Sequence, residues 1–581
     1  MNINNLNKEA RLEYFKELYI GAKNHGAEQL ASLEKCMSQY KGSTEIDGSD
    51  EAATTVRNIT YELIESQVSS DIPQPKADSV CYSERRSRNA ESIERLCRAL
   101  RDRLPYEEMN DIDERYTYIY GGSVWYLEWD NSEEYCGEVG AVKVHCLSPR
   151  DFVPQPGIYS VEAMDYCFLE FTATRGQVKR KYGISDSECD LLECDYQYGS
   201  SGTDGDCVRL AVCFYRDEEG EVGRFIFSGE VTLSDLPAYY KRRIAFDGGY
   251  TAVTEEALPE EYRVSDLAPS SVPYYLPKRF PIVIRKNTSG ERSLFGQSDC
   301  DYIRPQQQAI NKVESRILQK LIRAGITPIM PEDTTVSLSN SVFGQVIRMK
   351  PGETPAQYGK VDTTPNVAQD IAEAERLYDH AKRVAGISDA YQGNDNSSSE
   401  SGYARQLRIS QATGRLESKR RMKHTAYAEM DRIIFELYLA FADEPRMLSF
   451  KDAYGRVHSA CFNRYDFLEY DAESRKFYYD DGYVFSVDLN GGAEYQREAL
   501  WQRNLENLKA GPLGDPQSAV TLLRYWQCQE RAHYPHAREN VEYFKQAVEE
   551  ERREKNEQGK DTADTLKLLL GITEEEKNKE L

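Results

Sequence analysis

What this 581-residue chain lacks narrows its chemistry first. It has no GxxxxGKS/T phosphate loop, no HExxH, no GxSxG, and no GxGxxG placed after a strand. No apolar run reaches about 18 residues, so no segment is expected to span a membrane. The opening MNINNLNKEARLEYFKELYIG has no apolar export core, and the thirteen cysteines include no CxxC pair and no framework spacing. The thiols are therefore expected to be reduced, in cytoplasm. Cys189, Cys194, Cys207 and Cys213 cluster, and half-buried strand thiols are the preferred reading over a zinc site. The seven histidines are scattered; His533 and His536 have Pro535 between them and no nearby Cys or carboxylate in sequence. We expect no metal, no cofactor and no enzymatic activity.

Basic charge is also scarce. Lys and Arg number 73 against 97 Asp and Glu, a formal net charge of −24. Tight static binding of nucleic acid needs cations that displace counterions from phosphates. This balance argues against a transcription factor or a packaging histone, though not against a protein that lets DNA pass by.

The length is enough for roughly three to five domains. Residues 1–110 read as helices with apolar stripes, interrupted by the proline-bounded DIPQPKADS, which must be extended. From 114 to 290 the pattern turns to strands, beginning with the aromatic YTYIYGGSVWYLEWDN. VRLAVCFYRDEEGEVGRFIFSGEV reads as a hairpin turning at DEEG. Further strands are expected in MLSFKDAYGRVHSACF and in KFYYDDGYVFSVDL, where Asp480 and Asp481 suit a turn better than acid–base catalysis. Tyrosines in SVPYYLP and FYYDDGY suit half-buried packing better than base stacking. Residues 494–550 are helical, followed by a polar tail.

The centre of the chain, 298–443, is the most distinctive part. A helical run carries Ile310, Val313, Ile317 and Leu321 on one face. A proline- and glycine-broken insert that favours strands follows. A second helix then repeats Val367, Ile371, Ala374, Tyr378 and Ala381 in a heptad-like seam. Next come the polar SDAYQGNDNSSSES and about 40 residues of helical pattern. Residues 388–402 hold three acids and no Lys or Arg, whereas 403–442 hold eight bases and four acids. Five of those bases, Arg415, Lys419, Arg420, Arg421 and Lys423, crowd together. They suit either a solvated face with salt bridges to acidic neighbours, or a patch facing phosphate or another subunit.

In this order, NITYELIESQVSSDIPQPKAD, GGSVWYLEWDN, VKVHCLSPRDFVPQPG, FTATRGQVKRKYGI, GQSDCDYIRPQQQAINKVESRI and SGYARQLRISQATGRLESKRRMKHTAYAEMDRIIFELY resemble the portal proteins of tailed bacteriophages. The resemblance covers roughly residues 50–550 and rests on the ordered set, since no one motif is diagnostic. It implies an α+β portal fold. A helical wing part would occupy 1–110 and a β-rich wing 111–297. The first stem helix would be 298–325, a small β-rich clip 326–366, and the second stem helix 367–387. A tunnel loop, 388–402, would lead into the long wing helix 403–443. Wing strands at 444–493, crown helices at 494–550 and a tail at 551–581 complete it.

The family's role, so implied, is a homo-oligomeric ring, a dodecamer, at one capsid vertex of the virion. The ring is assembled in the host bacterial cytoplasm. Double-stranded DNA is packaged and ejected through it without sequence specificity. The terminase large subunit, a head–tail adaptor, and the major capsid and scaffolding proteins are the implied partners, with no membrane. Gln392, Asn394, Asp395, Asn396, Ser397, Ser398 and Ser399 would line the channel. Phe343, Gly344, Arg348 and Pro351 would serve docking at the clip. The seam from Val367 to Ala381 would face a neighbouring subunit, although packing within its own chain is the competing reading. Other virion head or connector proteins, and a soluble DNA-processing enzyme, are the competing functions.

Overall fold

The computed structural model describes residues 6–44, 55–81, 83–135, 138–194, 207–241, 250–252, 271–322, 326–329, 339–341, 344–346, 359–362, 366–387, 402–451, 457–471, 476–488, 494–531, 534, 537 and 540–548. Helices and antiparallel sheets are mixed along the chain, an α+β arrangement. The helices are α1 Lys8–His25, α2 Ala27–Tyr40, α3 Ile59–Glu65, α4 Glu84–Arg103, α5 Tyr106–Tyr120, α6 Arg175–Tyr182, α7 Asp186–Asp190, α8 Asp299–Ile322, α9 Ala368–Ala385, α10 Gly402–Phe441, α11 Glu494–Lys509 and α12 Ala519–Arg531.

The largest sheet runs Phe152–Pro154, Tyr166–Thr174, Cys207–Arg216, Val222–Ser228, Val231–Leu236, each strand beside the next. The expected hairpin is its centre, with Arg216 opposite Val222. Asp217 accepts the backbone N–H groups of Glu219 and Glu221 and so folds the turn. The strand from Cys207 to Arg216 is apolar at nearly every position because both its faces are covered. Phe15, Tyr19 and Ala22 of α1 pack with Ala211, Cys213 and Tyr215. Val212 and Phe214 enter the main core on the other side.

That core is built round the C-terminal half of α10. Ile433, Ile434, Phe435, Leu437, Tyr438 and Leu439 are all buried, as is the intervening Glu436, which pairs with Arg279 at 3.2 Å, so this stretch is enclosed on every side. Trp125 and Trp129 of the three-stranded sheet (Ile282–Lys286, Gly122–Tyr135, Glu138–Leu147) meet Tyr427 and Tyr438 edge-on, at 5.8 and 5.3 Å between ring centroids. Strand Gln74–Ser79, the expected extended proline segment, pairs with Tyr483–Asp488 from the far end of the chain.

Three expectations shift. YTYIY is the last turn of α5 rather than the start of a strand; Tyr118, Ile119 and Tyr120 pack against Leu33, Cys36 and Ile64. Gly121 ends that helix at φ +85, and its carbonyl accepts the N–H groups of Asn287 and Gly296. RGQVKRKY, within a presumed strand series, is the capped helix α6. Finally, KFYYDDGYVFSVDL supplies two strands that pair elsewhere, Lys476–Tyr479 with Leu468–Asp471 and Tyr483–Asp488 with the N-terminal strand. Asp480 serves the turn between them, accepting the Gly482 N–H and pairing with Arg86.

Candidate functional site

Two assemblies hold most of the described residues singled out from sequence. The first is the pair α8–α9. Val313 and Ile317 meet Ala374, while Ile303 and Ile310 meet Tyr378, Ala381 and Ile387. Lys320 lies 2.5 Å and Arg316 3.0 Å from Asp370. Rising numbers on one helix meet falling numbers on the other, so the two run antiparallel. Lys320, with Arg316, holds the Asp370 carboxyl below the usual carboxylate range. At the root of the pair, α3 inserts Ile59 and Leu63 beside Tyr378, and the Tyr378 hydroxyl donates to Glu62.

Three of the five seam residues take part in packing within the chain. Ala374, Tyr378 and Ala381 are buried within their own chain. Ile371, by contrast, is 49% exposed and Val367 is half-buried. The reason is rotational: Asp370 is drawn into the interface by Lys320 and Arg316, and its successor points about 100° away. Leu321, expected on the inner stripe with Ile310, Val313 and Ile317, is exposed.

Between the two helices, Ile326–Ile329 pairs with Gly359–Asp362, and Ser339–Ser341 pairs with Gly344–Val346. Gly344 thus begins a strand. Phe343, Arg348 and Pro351 lie outside the described residues, as do Gln392, Asn394, Asp395, Asn396 and Ser397 to Ser399.

The second assembly is a buried ionic network where α10 crosses α5 and the start of α8. Lys419 Nζ lies 2.6 Å from Asp299 Oδ2 and 2.9 Å from Gln67 Oε1. Asp299 Oδ1 also accepts from Asn287 at 2.8 Å. One turn along α10, Lys423 Nζ lies 3.0 Å from Glu114 Oε1 and donates to the Asp71 carbonyl. Glu114 is shared with Arg285 at 2.9 Å, and Arg285 also pairs with Asp113, which accepts from Ser123 and from the Trp125 indole.

Burial would raise the Glu114 pKa, but Arg285 and Lys423 hold it below the ordinary value. Burial depresses Lys423, only partly offset by Glu114. Arg285 stays charged, because Asp113 and Glu114 outweigh the cost of its burial. Ion pairs this deep contribute little net stability and instead make the arrangement intolerant of losing one member.

Of the five crowded bases, two take the reading of salt bridges to acidic neighbours. Lys419 and Lys423 point inward and are spent on Asp299 and Glu114. Arg421 is exposed and reaches its helical neighbour Glu417 at 3.4 Å, and Arg420 is half-buried. Arg415 lies on α10, and its side chain is outside the described residues. Sequence reasoning missed Asp113, Glu114, Arg285 and Asp299. The signal was an arginine inside the apolar strand PIVIRK and an acidic pair on the inner face of α5.

No family model matches the chain, and no curated protein does. Among the described residues, no three His, Cys, Asp or Glu side chains converge as metal ligands. No described helix is long and apolar enough to cross a membrane. Of the clustered cysteines, Cys189 and Cys213 are buried, while Cys194 and Cys207 are half-buried. Arg175 donates to the Cys194 sulfur at 3.2 Å.

Proposed function

We propose that this chain is a portal protein, a subunit of a ring through which double-stranded DNA enters and leaves a capsid. The reading is carried by one feature, the antiparallel pair α8–α9 joined by a strand-containing segment at one end and followed by the 40-residue helix α10. In this reading α8 and α9 are the stem, 326–366 the clip that docks terminase and adaptor, and 388–402 the tunnel loop. The wing, long wing helix and crown take the remaining chain as the resemblance assigns them.

The charge arrangement supports a conduit better than a DNA-gripping protein. Lys419 and Lys423, which would otherwise bind phosphate, are withdrawn into the interior. Several exposed lysine–phosphate contacts would impose a barrier at each step of a moving duplex. A loop offering Gln392, Asn394, Asn396 and serines would touch phosphate weakly and without reading sequence. Ring closure would use head-to-tail contacts between identical copies.

Imaging of the purified full-length protein by electron microscopy tests the proposal. Closed rings with a central channel are expected. A monomer, or a particle with nuclease or ATPase activity, would overturn it.

A further inference from the structure

The corner between α1 and α2, the proline-rich loop after strand Phe152–Pro154 and the turn at 292–295 enclose a cavity of about 360 Å³. That lies within the roughly 300–1,000 Å³ of small-molecule sites. Its floor is apolar: Leu33, Phe152, Val153, Leu294 and Phe295 line it and are buried. Pro149, Pro154 and Pro156 stiffen one wall, so little ordering would accompany binding.

The charged lining is mostly cationic, in a chain whose formal net charge is −24. Lys23, His25, Arg150 and Arg292 line the cavity against one carboxylate, Glu170. Glu170 is already taken, since it accepts from Lys23 and from the Tyr19 hydroxyl, each at 2.7 Å, and faces Arg209 at 3.7 Å. Arg150 reaches Glu34 with Nη2 at 3.2 Å, but its Nε is buried without a hydrogen-bond acceptor among the described residues. A buried donor in that state costs free energy that a bound acceptor would recover. Arg292 is exposed and meets no carboxylate among the described residues. It is also the one non-glycine residue among them with positive φ, +50, and backbone strain of that kind gathers at ligand clamps. Gly26 offers α2 no side-chain cap, so the first N–H groups of that helix add a weak positive field on the same side.

We propose that this cavity binds a small organic anion, a flat aromatic or short aliphatic body bearing one carboxylate. The body lies on Phe152 and Phe295, and the carboxylate is held by Arg150 and Arg292. An inorganic anion would leave the apolar floor wet, and a neutral hydrocarbon would leave Arg150 Nε without an acceptor. The site stands independently of the portal reading.

Isothermal titration calorimetry on the full-length protein tests this with 2-naphthoate and decanoate as probes. Saturable binding of one molecule per chain is expected for at least one of them. 2-Naphthamide, the neutral counterpart, should bind roughly tenfold more weakly than the acid, and acetate should not saturate. Arg292→Gly removes the guanidinium and relieves the positive φ, so Tm should hold or rise while affinity falls roughly tenfold. Gln29→Trp, on the exposed side of α2 at the cavity, should weaken binding by crowding it. Failure of both acids to saturate would overturn the proposal, as would equal binding of 2-naphthoate and its amide. So would unchanged affinity in both variants, which would place the probe elsewhere. Binding of a glutamate-rich peptide where neither free acid binds would assign the carboxylate to a partner protein and sink the small-molecule reading.

Discussion

The Lys419 ammonium lies 2.6 Å from the carboxylate of Asp299, tying the longest helix of the chain to the first residue of α8. Asp299 is 6% exposed, so Lys419→Met strands a charge that keeps only the neutral donors Gln67 and Asn287. A loss of about 3 kcal/mol is expected, read as a fall in Tm. Adding Asp299→Asn should recover much of it. A double variant as unstable as the two single losses combined would mean that charge is not what couples these helices.

The two faces of α9 should respond oppositely. Ala374→Leu overfills the contact with Val313 and Ile317 and should cost ~1–3 kcal/mol. Ile371→Ser, on the exposed face, should change chain stability by less than ~0.5 kcal/mol. In the proposed ring it should nonetheless shift the population toward smaller species, measured by mass photometry. Similar Tm losses in both variants would contradict the orientation of α9.

Acid should destabilise the ionic network. Glu114 has a folded pKa below its unfolded value, so its stabilising contribution is present above the ordinary Glu pKa of about 4.3. It is lost as pH falls from there through the folded value. Asp431, raised by burial despite Arg101, works in the opposite sense and softens the loss. Tm measured from pH 7 downward should hold until about pH 5 and then drop. A Tm that rose below pH 4 would show that carboxyls raised by burial, such as Asp431, Glu429 and Glu436, outweigh Glu114.

Deleting 392–399 should leave rings intact while impairing DNA packaging or retention, scored by protected DNA per particle. Loss of folding would assign the segment a structural role. Replacing Gly344 and Pro351 should weaken terminase or adaptor docking more than it lowers Tm. Unchanged docking, measured by co-sedimentation, would reject the clip assignment.

Local pattern carried the sequence reading wherever neighbours in sequence are neighbours in space. The hairpin from Cys207 to Ser228, the strand at Gln74–Ser79 and the helical character of α8, α9 and α10 all follow from periodicity or turn chemistry. The reading failed at YTYIY, where aromatic composition favours strands but packing of Tyr118 and Tyr120 on α2 keeps a helix. It also stopped at the ionic network. Asp113, Arg285, Asp299 and Lys423 are far apart in the chain, and no period links them. The heptad pattern holds at Ala374, Tyr378 and Ala381, which are buried, but Asp370, paired with Arg316 and Lys320, is buried where Ile371 was expected.

The pairing of Gln74–Ser79 with Tyr483–Asp488 bears on how the chain is made. At roughly 5–20 residues per second, a ribosome needs on the order of 20–80 s to deliver the second strand after the first has emerged. Throughout that interval the first strand waits with the edge that will pair unsatisfied. Pro75, which cannot donate to a ladder, and the charged Lys76 and Asp78 make that edge a poor template for a stray chain. Synthesis rate and temperature should therefore govern the yield of soluble protein more strongly than the stability of the finished fold does.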